Sequence, residues 1–148
     1  MFRGTAKAVT ARSFGVAGAL LAGLAVAAGA FGAHALRGAL PTDRLDVFET
    51  AARYQMYHGL ALLAVAWVAD RGPHWTPLVA GYAFIVGIAL FSGSLFLLAL
   101  TDQRWLGLVA PVGGASFLIG WATLGWAFAT AWRASATLGS ADGSCQSR

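Results

Sequence analysis

The sequence predicts an all-α integral membrane four-helix bundle, four transmembrane helices with antiparallel neighbours, and three observations carry that prediction. Hydrophobic residues make up 58% of the 148-residue chain and charged residues only 11%, where a soluble domain carries roughly 25% charge. The apolar residues gather in four long runs separated by short polar segments. Those runs are apolar all round and lack the two-residue alternation of a barrel strand. In hydrocarbon, a segment outside a closed barrel satisfies its own peptide groups only as a helix.

The spans are expected at about residues 14–34, 54–70, 77–100 and 106–132. A basic N-terminal segment, 1–12, carries Arg3, Lys7 and Arg12 ahead of the first. Crossing the hydrocarbon takes about 20 helical residues, so the second span is marginal unless the turn Ala51–Tyr57 joins it at the interface. The first run also has the basic flank and the Ala33-His34-Ala35 sequence of a cleavable signal. Its apolar core is longer than the usual h-region of about 7–15 residues, which favours a retained helix. Residues 134–148 are small and polar and are expected to be a disordered tail.

Charge placement gives an orientation. With four crossings, Arg3, Lys7, Arg12, Arg71, Arg133 and Arg148 share one side, and Arg37, Arg44, Arg53 and Arg104 the other. The excess on the first side places both termini in the cytoplasm of a multi-pass membrane protein. The net charge of +4 is scattered between apolar runs and forms no dense stripe, so no nucleic-acid partner is expected. The lone Cys145 forms no internal disulfide.

Helices in lipid associate through small residues. The expected packing positions are Gly15, Ala19, Gly23 and Gly29 on the first span, Gly87 and Gly93 on the third, and Gly114 and Gly120 on the fourth. Ser92 and Ser94 are available for hydrogen bonds to a neighbour. Trp67, Trp75, Trp105 and Trp132 fall near span ends, where indole prefers the interface, while Trp121 and Trp126 lie deeper. Pro77 starts a helix, where its missing N–H costs nothing.

The candidate functional cluster is His34, Glu49, Arg53, Tyr54, Gln55, Tyr57 and His58. Glu49, Arg53 and Tyr57 are spaced by four and share a helix face, a geometry worth a few tenths of a kcal/mol for the Glu–Arg pair. Tyr54 and His58 form a second such pair. His34 closes the first span and His58 opens the second, so an antiparallel hairpin sets both at similar depth at the non-cytoplasmic mouth, beside Thr101, Asp102 and Arg104. A plainer reading of the same residues is an amphipathic turn pinning the first loop to the bundle. The three histidines and one cysteine make no metal-site spacing, with His74 on the opposite side. No nucleophile elbow, phosphate loop or metalloprotease helix is present. No cofactor, metal or catalytic residue is expected. All six carboxylates fall in or beside loops, which counts against a small proton-driven exporter.

Four segments carry a resemblance. GAFGAHAL at Gly29–Leu36, FETAARYQMYH at Phe48–His58, LFSGSLFLLAL at Leu90–Leu100 and PVGGASFLIGW at Pro111–Trp121 resemble the signature segments of the domain-of-unknown-function 423 family. These small bacterial inner-membrane proteins are similar to the eukaryotic transmembrane protein 256. The resemblance covers about Ser13–Arg133. It implies four transmembrane helices and a membrane address, it emphasises His34 and the ETAARYQMYH stretch, and it implies no reaction.

The function expected is that of a non-enzymatic lipid- or protein-interaction module. Its partners are the lipid bilayer and either another membrane protein or a second copy in a homo-oligomer. The alternative is a small oligomeric channel or transporter entered through the polar mouth. The midplane residues are mostly Leu, Ala, Val, Phe and Gly, which favours the first.

Overall fold

The computed structural model describes the backbone of residues 2–71 and 75–143 and the side chains of residues 10–71 and 75–131. Helix α1 (Phe2–Phe31) closes in a π turn, Gly32–Leu36. Helix α2 covers Thr42–Ala69. Helix α3 (Trp75–Gly87) passes through a second π turn, Ile88–Ser92, into α4 (Gly93–Thr101), so that the three form one rod. A 3-10 turn, Arg104–Leu108, leads into α5 (Ala110–Gly143). At Asp102 the chain leaves α4 in the left-handed region, with φ 58°, a conformation that Asp tolerates better than most residues.

Three of the four rods are long and apolar enough to cross a membrane: Thr10–Leu36, Trp75–Thr101 and Arg104–Ala131. The fourth, α2, has 28 residues, but its first half carries Asp43, Arg44, Asp46, Glu49 and Arg53. Its uncharged part, 54–69, is shorter than a membrane crossing needs.

Several boundaries differ from the sequence expectation. The second helix begins at Thr42, three turns ahead of residue 54, directly after Pro41 in an extended conformation (ψ 151°) and with Asp43 in its first turn. An acidic first turn suits the positive end of the helix dipole. The charges do not interrupt this helix because Asp43, Asp46, Glu49 and Arg53 are exposed while Phe48, Ala51, Ala52 and Gln55 are buried. Helix α1 begins before residue 14, and α5 continues through Gly143. The tail expected to be disordered is therefore helical over 134–143. Residues 134–143 contain no proline, and extending an existing helix avoids the nucleation that a separate one requires. Residues 144–148, His74 and the side chain of Trp132 lie outside the described set.

Successive rods run antiparallel. At one end Phe48 meets Phe31 and Phe96, with centroids 6.4 and 4.8 Å away, and Arg44 Nε donates to Ala99 O at 2.7 Å. At the other, Phe14 meets Tyr82 at 5.6 Å and Trp67 stacks on Phe128 at 5.5 Å. Helix α2 pairs most extensively with α1, α3 pairs with α5, and α2 also touches the α3–α4 rod and α5. The interior is filled by Leu62, Val65, Ala80, Phe84, Ile88 and Phe117. The outside is apolar as well: Leu20, Leu24, Leu97, Leu108 and Leu118 are all exposed, the surface expected of a body solvated by hydrocarbon.

The small-residue contacts shift from the expected rows. Helices α1 and α2 cross at Gly18 and Gly59: a Cβ on Gly18 would lie 2.7 Å from Gly59 O, and one on Gly59 would lie 3.0 Å from Ala22 N. Gly87 and Gly120 do admit rings, Phe117 and Phe84 respectively, and Gly81 and Gly113 accommodate Phe14 and the backbone of Phe91. Gly15 makes only ordinary contact with Ala66, Gly93 and Gly114 are barely touched, and Gly23 and Gly29 face open space, as does the exposed Ala19. Ser116, on α5, hydrogen-bonds between helices, donating to Ala83 O of α3 at 2.8 Å. Ser94 bonds Phe91 O of its own rod, and Ser92 Oγ is buried without a partner.

Candidate functional site

Starting α2 at Thr42 changes the depth of every candidate on it. His58 lies beyond the middle of a helix spanning 42–69, and is no longer level with His34, which is exposed in the first π turn. The expected mouth cluster therefore separates into three groups on different sides of α2.

Gln55 points toward α1, where its Nε2 donates to Leu21 O at 2.9 Å. It is buried and serves as a tie between helices. Glu49 and Arg53 are exposed on the outer α1/α2 face and line a shallow cavity of about 300 Å3 with Ala25, Gly29, Ala52 and Met56. Tyr54, Tyr57 and His58 turn toward α5, where they border a second cavity.

His58 anchors this third group. Its ring lies flat on Phe117, with centroids 3.4 Å apart and planes at 3°. Phe84 lies 5.5 Å away on α3, and Tyr54 is 4.6 Å from Phe91 of the second π turn. The ring therefore gathers α2, α3 and α5 about one point, and Gly87 and Gly120 leave room for Phe117 and Phe84 to reach it.

Both ring nitrogens are occupied. Nδ1 sits 2.7 Å from Tyr54 O, a carbonyl that only accepts, so Nδ1 carries the proton and donates. Nε2 lies 3.2 Å from Trp121 Nε1, an indole N–H that only donates, so Nε2 accepts. The two partners select the neutral Nδ1–H tautomer and leave neither nitrogen facing the cavity. What the cavity meets is ring surface. Its volume is about 360 Å3, and Tyr54, Tyr57, Gly114, Phe117, Leu118 and Trp121 line it with His58. Tyr57, Leu118 and Trp121 are 54%, 73% and 49% exposed, so it opens sideways through the outer wall.

Phe117, Phe84 and Gly114 complete this site. The sequence placed Gly114 as a helix contact and assigned the two phenylalanines no role, because a phenylalanine in an apolar run carries no local mark of its partner. Among the described residues, no group of three or more His, Cys, Asp or Glu is placed to hold a metal.

Comparison with known proteins adds a lineage. The model of a family described as "Protein of unknown function (DUF423)" matches residues 28–114. A UPF0382 membrane protein of Staphylococcus epidermidis is 46% identical over 114 residues, covering 75% of this chain and 90% of that one. The UPF0382 membrane protein YwdK of Bacillus subtilis is 45% identical over 109 residues, covering 73% and 89%. No solved structure matches the chain.

Proposed function

We propose, taking as premise that the chain belongs to the DUF423 family, that it is a non-enzymatic membrane protein holding the hydrocarbon tail of a lipid in the cavity between α2 and α5. The observation that carries this reading is the lateral opening of a cavity of about 360 Å3 walled by ring faces and a leucine. That volume lies at the lower end of the roughly 300–1,000 Å3 of small-molecule pockets and suits one chain better than a whole lipid. An acid or base catalyst needs a nitrogen facing its substrate, and both nitrogens of His58 are already engaged. Conduction through the bundle interior is disfavoured because Leu62, Val65 and Phe84 are fully buried in its apolar core.

The test is photolabelling in bilayers with a phospholipid carrying a diazirine on its acyl chain. Labelling should concentrate on the segments around 54–58 and 114–121. Leu118→Trp, which fills the cavity from an exposed position, should lower it about tenfold, equivalent to about 1.4 kcal/mol. Leu108→Trp, on another part of the outer wall, should leave it unchanged. Labelling spread evenly over the outer leucines and indifferent to Leu118→Trp would refute the reading.

The same proposal includes four crossings in the plasma membrane, with both termini cytoplasmic. Support comes from α2 being coextensive with the apolar rods: Phe48 is level with Phe31 and Phe96, and Trp67 with Phe128. Arg71, over the Trp67 ring at 4.3 Å, adds positive charge to the end that α1 enters. Reporters fused after residue 148 and inserted at Gly38 should report opposite sides, with the C-terminal one cytoplasmic. A C-terminal reporter outside the cytoplasm would sink this topology.

A further inference from the structure

Glu49 and Arg53 are the charged residues lining the shallow cavity between α1 and α2, whose other lining residues are Ala25, Gly29, Ala52 and Met56. Asp46, exposed three residues before Glu49, lies outside that lining. The bond from Arg44 to Ala99 O fixes Arg44 at the level of α4's last turn. Glu49 and Arg53 follow it by five and nine residues, which at about 1.5 Å per residue sets them about 7.5 and about 13.5 Å deeper. Across their cavity lie Ala25 and Gly29, within the apolar rod Thr10–Leu36, and Leu24 and Val26 beside them face outward. Among the described residues, neither charge makes an ion pair within the chain. A carboxylate and a guanidinium at that depth are disfavoured unless something pairs them.

The neighbouring face of α1 is open to close approach. A Cβ at Gly23 or Gly29 would meet no atom within 4 Å, and Ala19, Ala27 and Ala30 are exposed. The charges beside this face say what covers it. A cavity lined by one carboxylate and one guanidinium a single helical turn apart is complementary to itself under a two-fold axis, where residue i meets residue j and j meets i.

We propose that this α1/α2 face docks against the same face of a second copy, with Glu49 meeting the partner's Arg53 and Arg53 meeting the partner's Glu49. Small residues on α1 let the two backbones approach, and the reciprocal pairs neutralise both charges without water. The cavity between α2 and α5 lies on another face and stays open to lipid, so the dimer stands or falls independently of tail binding.

Copurification of two differently tagged full-length chains from one membrane tests the proposal. Wild type should pair with wild type. Glu49→Arg alone, or Arg53→Glu alone, should lower self-pairing about thirtyfold, the scale of breaking a desolvated charge pair. The doubly exchanged chain, carrying Glu49→Arg and Arg53→Glu, should pair with itself and not with wild type, because every facing pair in the mixed dimer is then of like sign. Misfolding cannot produce that selectivity. Wild-type chains that fail to copurify would overturn the proposal. So would a doubly exchanged chain that pairs equally with wild type, or a monomer that loses a bound zwitterionic phospholipid when either charge is reversed.

Discussion

Gly18→Leu is expected to destabilise the bundle strongly. The α1/α2 contact is the most extensive in the bundle, and at Gly18 it is a contact of backbone with backbone. A Cβ there would lie 2.7 Å from Gly59 O, 3.0 Å from Leu62 Cβ and 3.1 Å from Leu63 Cδ2. The carbonyl and the Leu62 Cβ cannot rotate away, so the helices must separate along their length. Overpacking a fitted core destabilises by about 1–3 kcal/mol, and a full leucine against backbone should reach about 3 kcal/mol or more. Leucine favours helix over glycine by most of a kcal/mol, so propensity works against the predicted sign. Gly125→Leu is the control, because a Cβ at Gly125 meets nothing within 4 Å. Unfolding titrations in mixed micelles should separate the two variants clearly. Equal stabilities would mean that the crossing is not at Gly18.

The contrast between Gly18 and Gly23 shows what the sequence disclosed and what it withheld. Fold class and the three apolar rods follow from composition and run length, because lipid leaves the backbone no alternative to helix. Which small residues meet a neighbour depends on the rotation of each helix about its axis, and a rod that is apolar all round does not encode that rotation. Rows of glycine and alanine starting at Gly15 and at Ala25 were equally good patterns. The row that packs includes Gly18 and is read only against Gly59 on another helix. For the candidate site, residue types alone single out the stretch Val47–Gly59. Its geometry was not legible because Asp43, Asp46 and Glu49 resemble a loop. Taken as helix from Thr42, with those charges outward, the same residues carry His58 into the bundle's interior and separate it from His34.

His58→Ala should follow Gly18→Leu in size, and its conservative partner separates packing from polarity. The imidazole is 4% exposed, stacks on Phe117 at 3.4 Å and accepts the Trp121 indole N–H at 3.2 Å. Truncation to alanine leaves a void beside Phe84 and Phe117 and removes the indole's acceptor. Loss of a buried ring typically destabilises by about 3–5 kcal/mol. The half-open cavity next to it allows some collapse, so about 3 kcal/mol is expected. His58→Phe keeps the stack on Phe117 and removes both nitrogens, leaving only the Trp121 N–H without its partner. Hydrogen bonds between membrane helices average about 0.6 kcal/mol, so this variant should lose about 1 kcal/mol or less. The indole should also report directly: in both variants its emission should shift to the blue as the N–H loses its acceptor in an apolar wall. If His58→Phe proved as damaging as His58→Ala, the ring's value would lie in its nitrogens and not in its surface. A histidine whose nitrogens mattered that much would reopen the case for acid–base chemistry at this site.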